Sequence, residues 1–142
     1  MKILIDSREK KPFTFANYEV ETAALKTGDY SIKGLEDKLV LERKSISDFT
    51  SSITKQRFWN EMERMADISK SYLILEFSIE DAMKFPVGSG IPKKLWRFLR
   101  VKPKFILSCL QRIEDEYGVI VIHSASRDEA AKKCLELLLA GV

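Results

Sequence analysis

The sequence predicts an α/β fold, a mixed central β-sheet flanked by helices. Three observations carry that prediction. Strand-like segments come first along the chain, and the apolar spacing switches to the helical period near Ile46. Strands and helices alternate from Ser71 onward. Two early strand segments, Gly28–Gly34 and Lys38–Lys44, are separated by only a few residues, which makes them antiparallel neighbours in a hairpin.

The elements follow in order. Lys2–Asp6 (KILID) reads as a buried strand ending in an acid. Tyr18–Leu25 is a second strand, and the hairpin strands come next. Ile46, Phe49 and Ile53, then Phe58, Met62 and Met65, predict a helix or helix pair over Ser47–Ile68. Ser71–Phe77 is a buried strand, and Ile79–Phe85 is a short helix stopped by Pro86. Gly88–Gly90 is a loop, and the stretch after it is expected to be partly helical and interrupted at Pro103. Lys104–Gly118 is a helix, Val119–His123 a β-branched strand, and the last helix starts at a capping-box pattern, Ser126 with Glu129.

Composition sets the class. A chain of 142 residues argues for one domain, 1–142. At 45% hydrophobic and 32% charged residues it is expected to fold rather than stay disordered. Its two cysteines, Cys109 and Cys134, lack metal-ligand spacing and suggest buried thiols in a reducing interior. No stretch reads as a signal peptide or a membrane span, so an intracellular, soluble protein is expected, in cytoplasm or nucleoid or nucleus. Charge is uneven. Val87–Ser108 holds Lys93, Lys94, Arg97, Arg100, Lys102 and Lys104 and no acid; without those six bases the net +3 becomes −3. Such a segment suits phosphate binding.

The stretch LVLERKSISDF (Leu39–Phe49) carries the chemistry. On a strand, alternate residues share a face, so Glu42 and Lys44 are neighbours while Arg43 points the other way. Asp29 lies at the same sheet end if the hairpin pairs as read; Asp6 ends another strand and Glu9 follows it. Carboxylates gathered in this way repel one another unless protonated, paired with bases or bridged by a cation. Mg²⁺ takes one or two carboxylates together with substrate phosphate, and a lysine beside it can steady phosphate and water. An acid followed by acid–x–Lys on the adjacent strand is thus a candidate phosphodiester hydrolysis site. A solvated strand end with an ion pair fits the same spacing.

A resemblance bears on that choice. Gly28-Asp29, then Glu42-Arg43-Lys44 with Asp48 four residues on, resembles the nuclease domain of the XPF family of structure-specific endonucleases. Asp6 and Glu9 in IDSRE, and Arg57-Phe58 with Glu61, match further family motifs, although Gln56 stands where the family has Gly. The match covers residues 3–65. It implies a restriction-endonuclease-like fold and DNA cleavage with Mg²⁺ or Mn²⁺, an activity of DNA repair. Asp29 and Glu42 would be the principal metal ligands, with Asp6 a further metal residue and Glu9 completing the acidic site. Lys44 would act on phosphate and water, while Arg43, Asp48, Arg8, Arg57 and Glu61 would support. XPF proteins usually carry a tandem helix-hairpin-helix domain for DNA binding and dimerisation, and this chain has no room for one. A homodimer or a separate DNA-targeting partner would then supply that function.

Several of these residues have plainer readings. Ser45 and Asp48 also form a capping pattern. Arg57 and Glu61 are an i, i+4 pair, and Arg8 is a turn residue or the neutraliser of Asp6. The basic segment is a solvated helix face or a DNA-backbone contact; aromatics such as Trp96, Phe98 and Phe105 within it are more often core than stacking platforms. His123 reads as structural. The competing function is a non-catalytic DNA-binding or partner-binding scaffold. A nucleotide-binding α/β domain lacks the glycine-rich loop it would need.

Overall fold

The computed structural model describes residues 1–142. Six strands form one sheet: β1 (Ile3–Asp6), β2 (Val20–Ala23), β3 (Tyr30–Ile32), β4 (Leu39–Lys44), β5 (Lys70–Leu75) and β6 (Ile120–His123). Across the sheet the order is β2-β1-β3-β4-β5-β6. β3 runs antiparallel to β1 and β4, and the remaining pairs are parallel. The expected hairpin is β3–β4, in a register that sets Tyr30 opposite Leu41. The helices are α1 (Ile46–Ser52), α2 (Gln56–Ala66), α3 (Ile79–Met83), α4 (Pro103–Tyr117) and α5 (Arg127–Ala140), with a 3₁₀ turn at Lys93–Phe98.

Two apolar cores lie on opposite faces of the sheet, and β4 feeds both. Val40 packs into the core built with Phe49, Phe58, Met62, Met65 and Ile106 from α1, α2 and α4. Leu39 and Leu41 enter the other, with Ile5, Tyr30 and α5's Cys134 and Leu138. Each fully buried aliphatic side chain is worth roughly 1.5–3 kcal/mol. β4 is therefore clamped from both sides, and the positions of Glu42, Arg43 and Lys44 follow from that clamp.

Gly28 is required where β3 begins. Its φ is +83°, and a Cβ there would meet Val40 Cβ at 3.0 Å and Leu41 O at 3.3 Å. The bare backbone approaches β4 closely enough for Asp29 N–H to donate to Leu41 O at 2.8 Å.

Several expectations change in detail. The second strand is shorter than Tyr18–Leu25 and is the outer edge, parallel to β1. Of the two readings of Ser47–Ile68, the helix pair holds, broken at 53–55. Pro103 starts α4 rather than interrupting a helix, because the first turn needs no N–H from it. Ser126 accepts from Glu129 N–H at 3.2 Å, but the Glu129 carboxylate turns to Ala125 N–H instead of closing the box on Ser126. His123 Nδ1 lies 3.2 Å from Phe77 O. Cys109 and Cys134 are buried free thiols. No helix is long and apolar enough to cross a membrane.

Candidate active site

The sheet topology brings three strand ends together. Asp6 N–H donates to Asp29 O at 2.8 Å, and Arg43 N–H donates to Asp29 Oδ2 at 2.8 Å. Asp6 of β1, Asp29 before β3 and Glu42 of β4 thus lie side by side. On the face that carries Val40, Glu42 and Lys44 point toward α2, whose Arg57, Glu61 and Arg64 stand beside them. These side chains, with Asp6, Arg8 and Asp29, line a cleft of about 540 Å³. Its rim carries three bases outside the sequence motif, Lys10, Lys26 and Lys55.

Electrostatics separates the acids. Glu42 is buried, within hydrogen-bonding reach of both Asp29 and Glu61, and 3.7 Å from Lys44 Nζ. Burial, then the charges of Asp29 and Glu61, push its carboxyl well above the usual range despite Lys44. Burial likewise raises Asp29 to about 6, with Glu9 and Glu61 adding repulsion against the pull of the Arg43 N–H. Lys44 Nζ lies 6.0 Å from the centre of the Phe58 ring, which forms the cleft's apolar wall.

Asp6 is different. Arg8 Nε and Nη2 donate to its two oxygens at 3.0 and 3.2 Å, and Leu25 N–H donates to Oδ1 at 2.9 Å. Burial raises its pKa, but these bonds and the Arg8 charge outweigh that and hold it below the usual value. Arg8 therefore neutralises Asp6. In this geometry Asp29 and Glu42 are the two strand-end acids without a guanidinium partner, whereas Asp6 is satisfied by Arg8.

Glu9 does not join the cleft. It receives Arg43 Nε at 3.0 Å and Nη2 at 2.8 Å, on the opposite side of β4, and Arg43 Nη1 donates to Glu76 Oε2 at 3.1 Å. Arg127 of α5 donates to the same Glu76 oxygen at 3.1 Å and lies over the Phe13 ring at 4.9 Å. The strand alternation anticipates Arg43 facing away. Glu76 and Arg127 have no signal in the sequence, because 33 and 51 positions separate the partners. Asp48 is exposed and outside the cleft; its N–H donates to Ser45 Oγ at 3.1 Å, so Ser45 caps α1, while the Asp48 carboxylate does not close the box on Ser45. Arg57 and Glu61 make no ion pair with each other and both face the cleft.

All six bases of the 93–104 segment are exposed, and none forms an ion pair. The aromatic expectation of a core role fails for two of three: Phe98 and Phe105 are 64% and 46% exposed. Trp96 is half-buried and donates its indole N–H to Ile91 O at 2.9 Å.

The donor set suits a hard cation. No three His, Cys, Asp or Glu side chains form a ready-made cage. Two carboxylates with raised pKa and a neighbouring Glu61 match the Mg²⁺ habit of one or two protein ligands, with water and phosphate completing the shell.

Comparison with known proteins bears on the fold and the family. XPF from Aeropyrum pernix superposes on 99% of the chain and 64% of its own length, with a TM-score of 0.74 and 18% identity. A second structure, titled as Aeropyrum pernix XPF in complex with DNA, gives 0.73 and 20%, covering 98% of this chain and 64% of that one. At such identities the likeness shows the fold, the expected mixed sheet with flanking helices. A Methanocaldococcus jannaschii protein named "Putative ATP-dependent RNA helicase MJ1505" is 36% identical over 80 residues, 54% of this chain and 10% of that one. The chain therefore spans about two-thirds of the XPF structures and a tenth of the helicase-named relative. The ERCC4 domain matches residues 5–136, nearly the whole sheet and every site residue named above, and the chain belongs to the ERCC4 domain family.

Proposed function

We propose that residues 1–142 form one nuclease domain, a metal-dependent DNA endonuclease that hydrolyses phosphodiester bonds at branched DNA such as flaps or forks. The observation that carries this reading is the Asp29–Glu42 pair. Burial raises both carboxyls, and the Glu61 charge adds repulsion at each, in a cleft rimmed by bases, a state that a divalent cation relieves. Asp29 and Glu42 would hold Mg²⁺ or Mn²⁺, with Glu61 beside them. When bound, such an ion neutralises phosphate charge and acidifies water.

The chain's own residues do the rest. Lys44, against the Phe58 wall, holds the scissile phosphate and the attacking water. The water oxygen bonds to phosphorus and the bond to the 3′ oxygen breaks, leaving a 5′-phosphate and a 3′-hydroxyl. Arg43 fixes the strand end through Glu9 and Glu76, and its N–H orients Asp29. Arg8 keeps Asp6 charged yet neutralised. The exposed bases Lys93, Lys94, Arg97, Arg100, Lys102 and Lys104 hold DNA backbone. A second copy or a separate DNA-targeting protein would supply the wider grip on branched substrates. The DNA complex of the XPF relative supports the choice of DNA.

The test is a panel of flap, fork, nicked and linear DNAs incubated with Mg²⁺ or Mn²⁺. Cleavage is expected, with EDTA abolishing it and branched forms cut fastest. Binding without cleavage under every metal condition would favour the scaffold reading instead.

A further inference from the structure

The carboxylate cleft continues on one side. Lys55, on its wall, also lines a second depression of about 510 Å³ together with Arg100, Val101 and Phe105. Thr54, Arg100 and Val101 in turn line a third of about 580 Å³, where Leu95 and Phe98 lie. Three depressions thus share walls in series, from Glu42 out to Phe98. Lys55 and Arg100 are exposed at the two junctions, and neither forms an ion pair. Each outer depression carries one exposed aromatic ring, Phe105 or Phe98, and the Arg97 guanidinium lies 4.7 Å from the centre of the Phe98 ring.

Solitary exposed apolar side chains are ordinary. Two exposed rings placed one per depression, along a seam of unpaired cations leading from a hydrolytic cleft, have a chemical complement. A single nucleic-acid strand offers phosphates to the cations and unstacked base faces to the rings. A duplex hides its base faces and could use only the cations. The cleft's other neighbouring depression does not match. Lys26, Thr27 and Arg64 lead there to a depression lined by Glu36, Asp37 and Asp67, which repel phosphate.

We propose that the groove running from Lys55 past Arg100 to Phe98 binds single-stranded DNA adjoining the cleaved bond. Phe105 and Phe98 each stack one base, and Lys55 and Arg100 hold the phosphates between. This rests on the nuclease reading of the cleft and specifies the strand that enters it.

The test is fluorescence anisotropy with the full chain in EDTA, using labelled oligothymidylate and a blunt duplex of equal length. Phe98→Leu with Phe105→Leu keeps apolar surface but removes both rings, and their exposure lets the fold survive, as urea unfolding would verify. Single-strand affinity should fall by roughly tenfold or more. Duplex affinity should stay unchanged, and Trp at both positions should restore single-strand binding. Equal weakening of both DNAs, unchanged single-strand affinity or no wild-type single-strand binding would overturn the proposal. So would a change in oligomeric state by light scattering with DNA binding intact, which would assign the rings to a protein contact. Wild-type cleavage with Mg²⁺ is scored separately. Its absence, with ring-dependent binding preserved, would sink the endonuclease reading and leave the groove standing.

Discussion

Asp29→Asn should stabilise the metal-free protein at neutral pH. The Asp29 carboxyl is raised from 3.8 to about 6, chiefly by burial. A raised acid binds more protons folded than unfolded, so stability falls as pH climbs from 3.8 through 6. The penalty is absent below the unfolded value and complete above the folded one. A rise of that size makes the charged form costlier in the folded protein by about 3 kcal/mol. Asn keeps a carbonyl oxygen for the Arg43 N–H, now received by Oδ2 at 2.8 Å, so that bond survives. Urea unfolding in EDTA should therefore show the variant more stable at pH 7.5, by about 1–3 kcal/mol, with the advantage shrinking toward pH 4. Millimolar Mg²⁺ should stabilise wild type at pH 7.5 and leave the variant unmoved, since only a state that binds the ion gains from it. A variant equal to or less stable than wild type at pH 7.5 would show that the carboxylate is not held at a cost.

Arg43→Met should destabilise by about 3–5 kcal/mol, because Glu9 loses both of its guanidinium bonds while buried; a loss under about 1 kcal/mol in urea unfolding would contradict this. Neutralising Lys93, Lys94, Arg97 and Arg100 together should lower the slope of log affinity against log salt for duplex DNA by as much as about 3–4, and an unchanged slope would remove the segment from the DNA interface. Ser45→Ala should cost roughly 1 kcal/mol of stability through loss of the α1 cap, measured by the same unfolding assay.

The sequence is most informative where local rules operate. β4 alternates between two cores, so the opposite facing of Glu42 and Arg43 is legible from strand periodicity alone. The β3–β4 pairing follows from the short connection between the segments, and the pairing places Asp29 beside Glu42. Long-range pairings are not legible. Glu9 reads as one more acid of the site, yet the turn after β1 carries it across the sheet to Arg43. Glu76 and Arg127 complete that network from distant parts of the chain, with no periodicity to announce them. Phe98 and Phe105 look like core in sequence, because hydrophobicity does not reveal that a 3₁₀ turn and a helix start leave both rings outward.

Glu42 and Lys44, held in place by the clamp on β4, are the residues on which proposed hydrolysis with a divalent cation depends most. Single-turnover cleavage of a branched DNA in Mg²⁺ probes them together, using wild type, Glu42→Gln and Lys44→Ala, each shown folded by circular dichroism. Wild type should cut, and each variant should be slower by a factor on the order of 10²–10³ while still binding the DNA. Variants that cut at the wild-type rate would remove Glu42 and Lys44 from the chemistry.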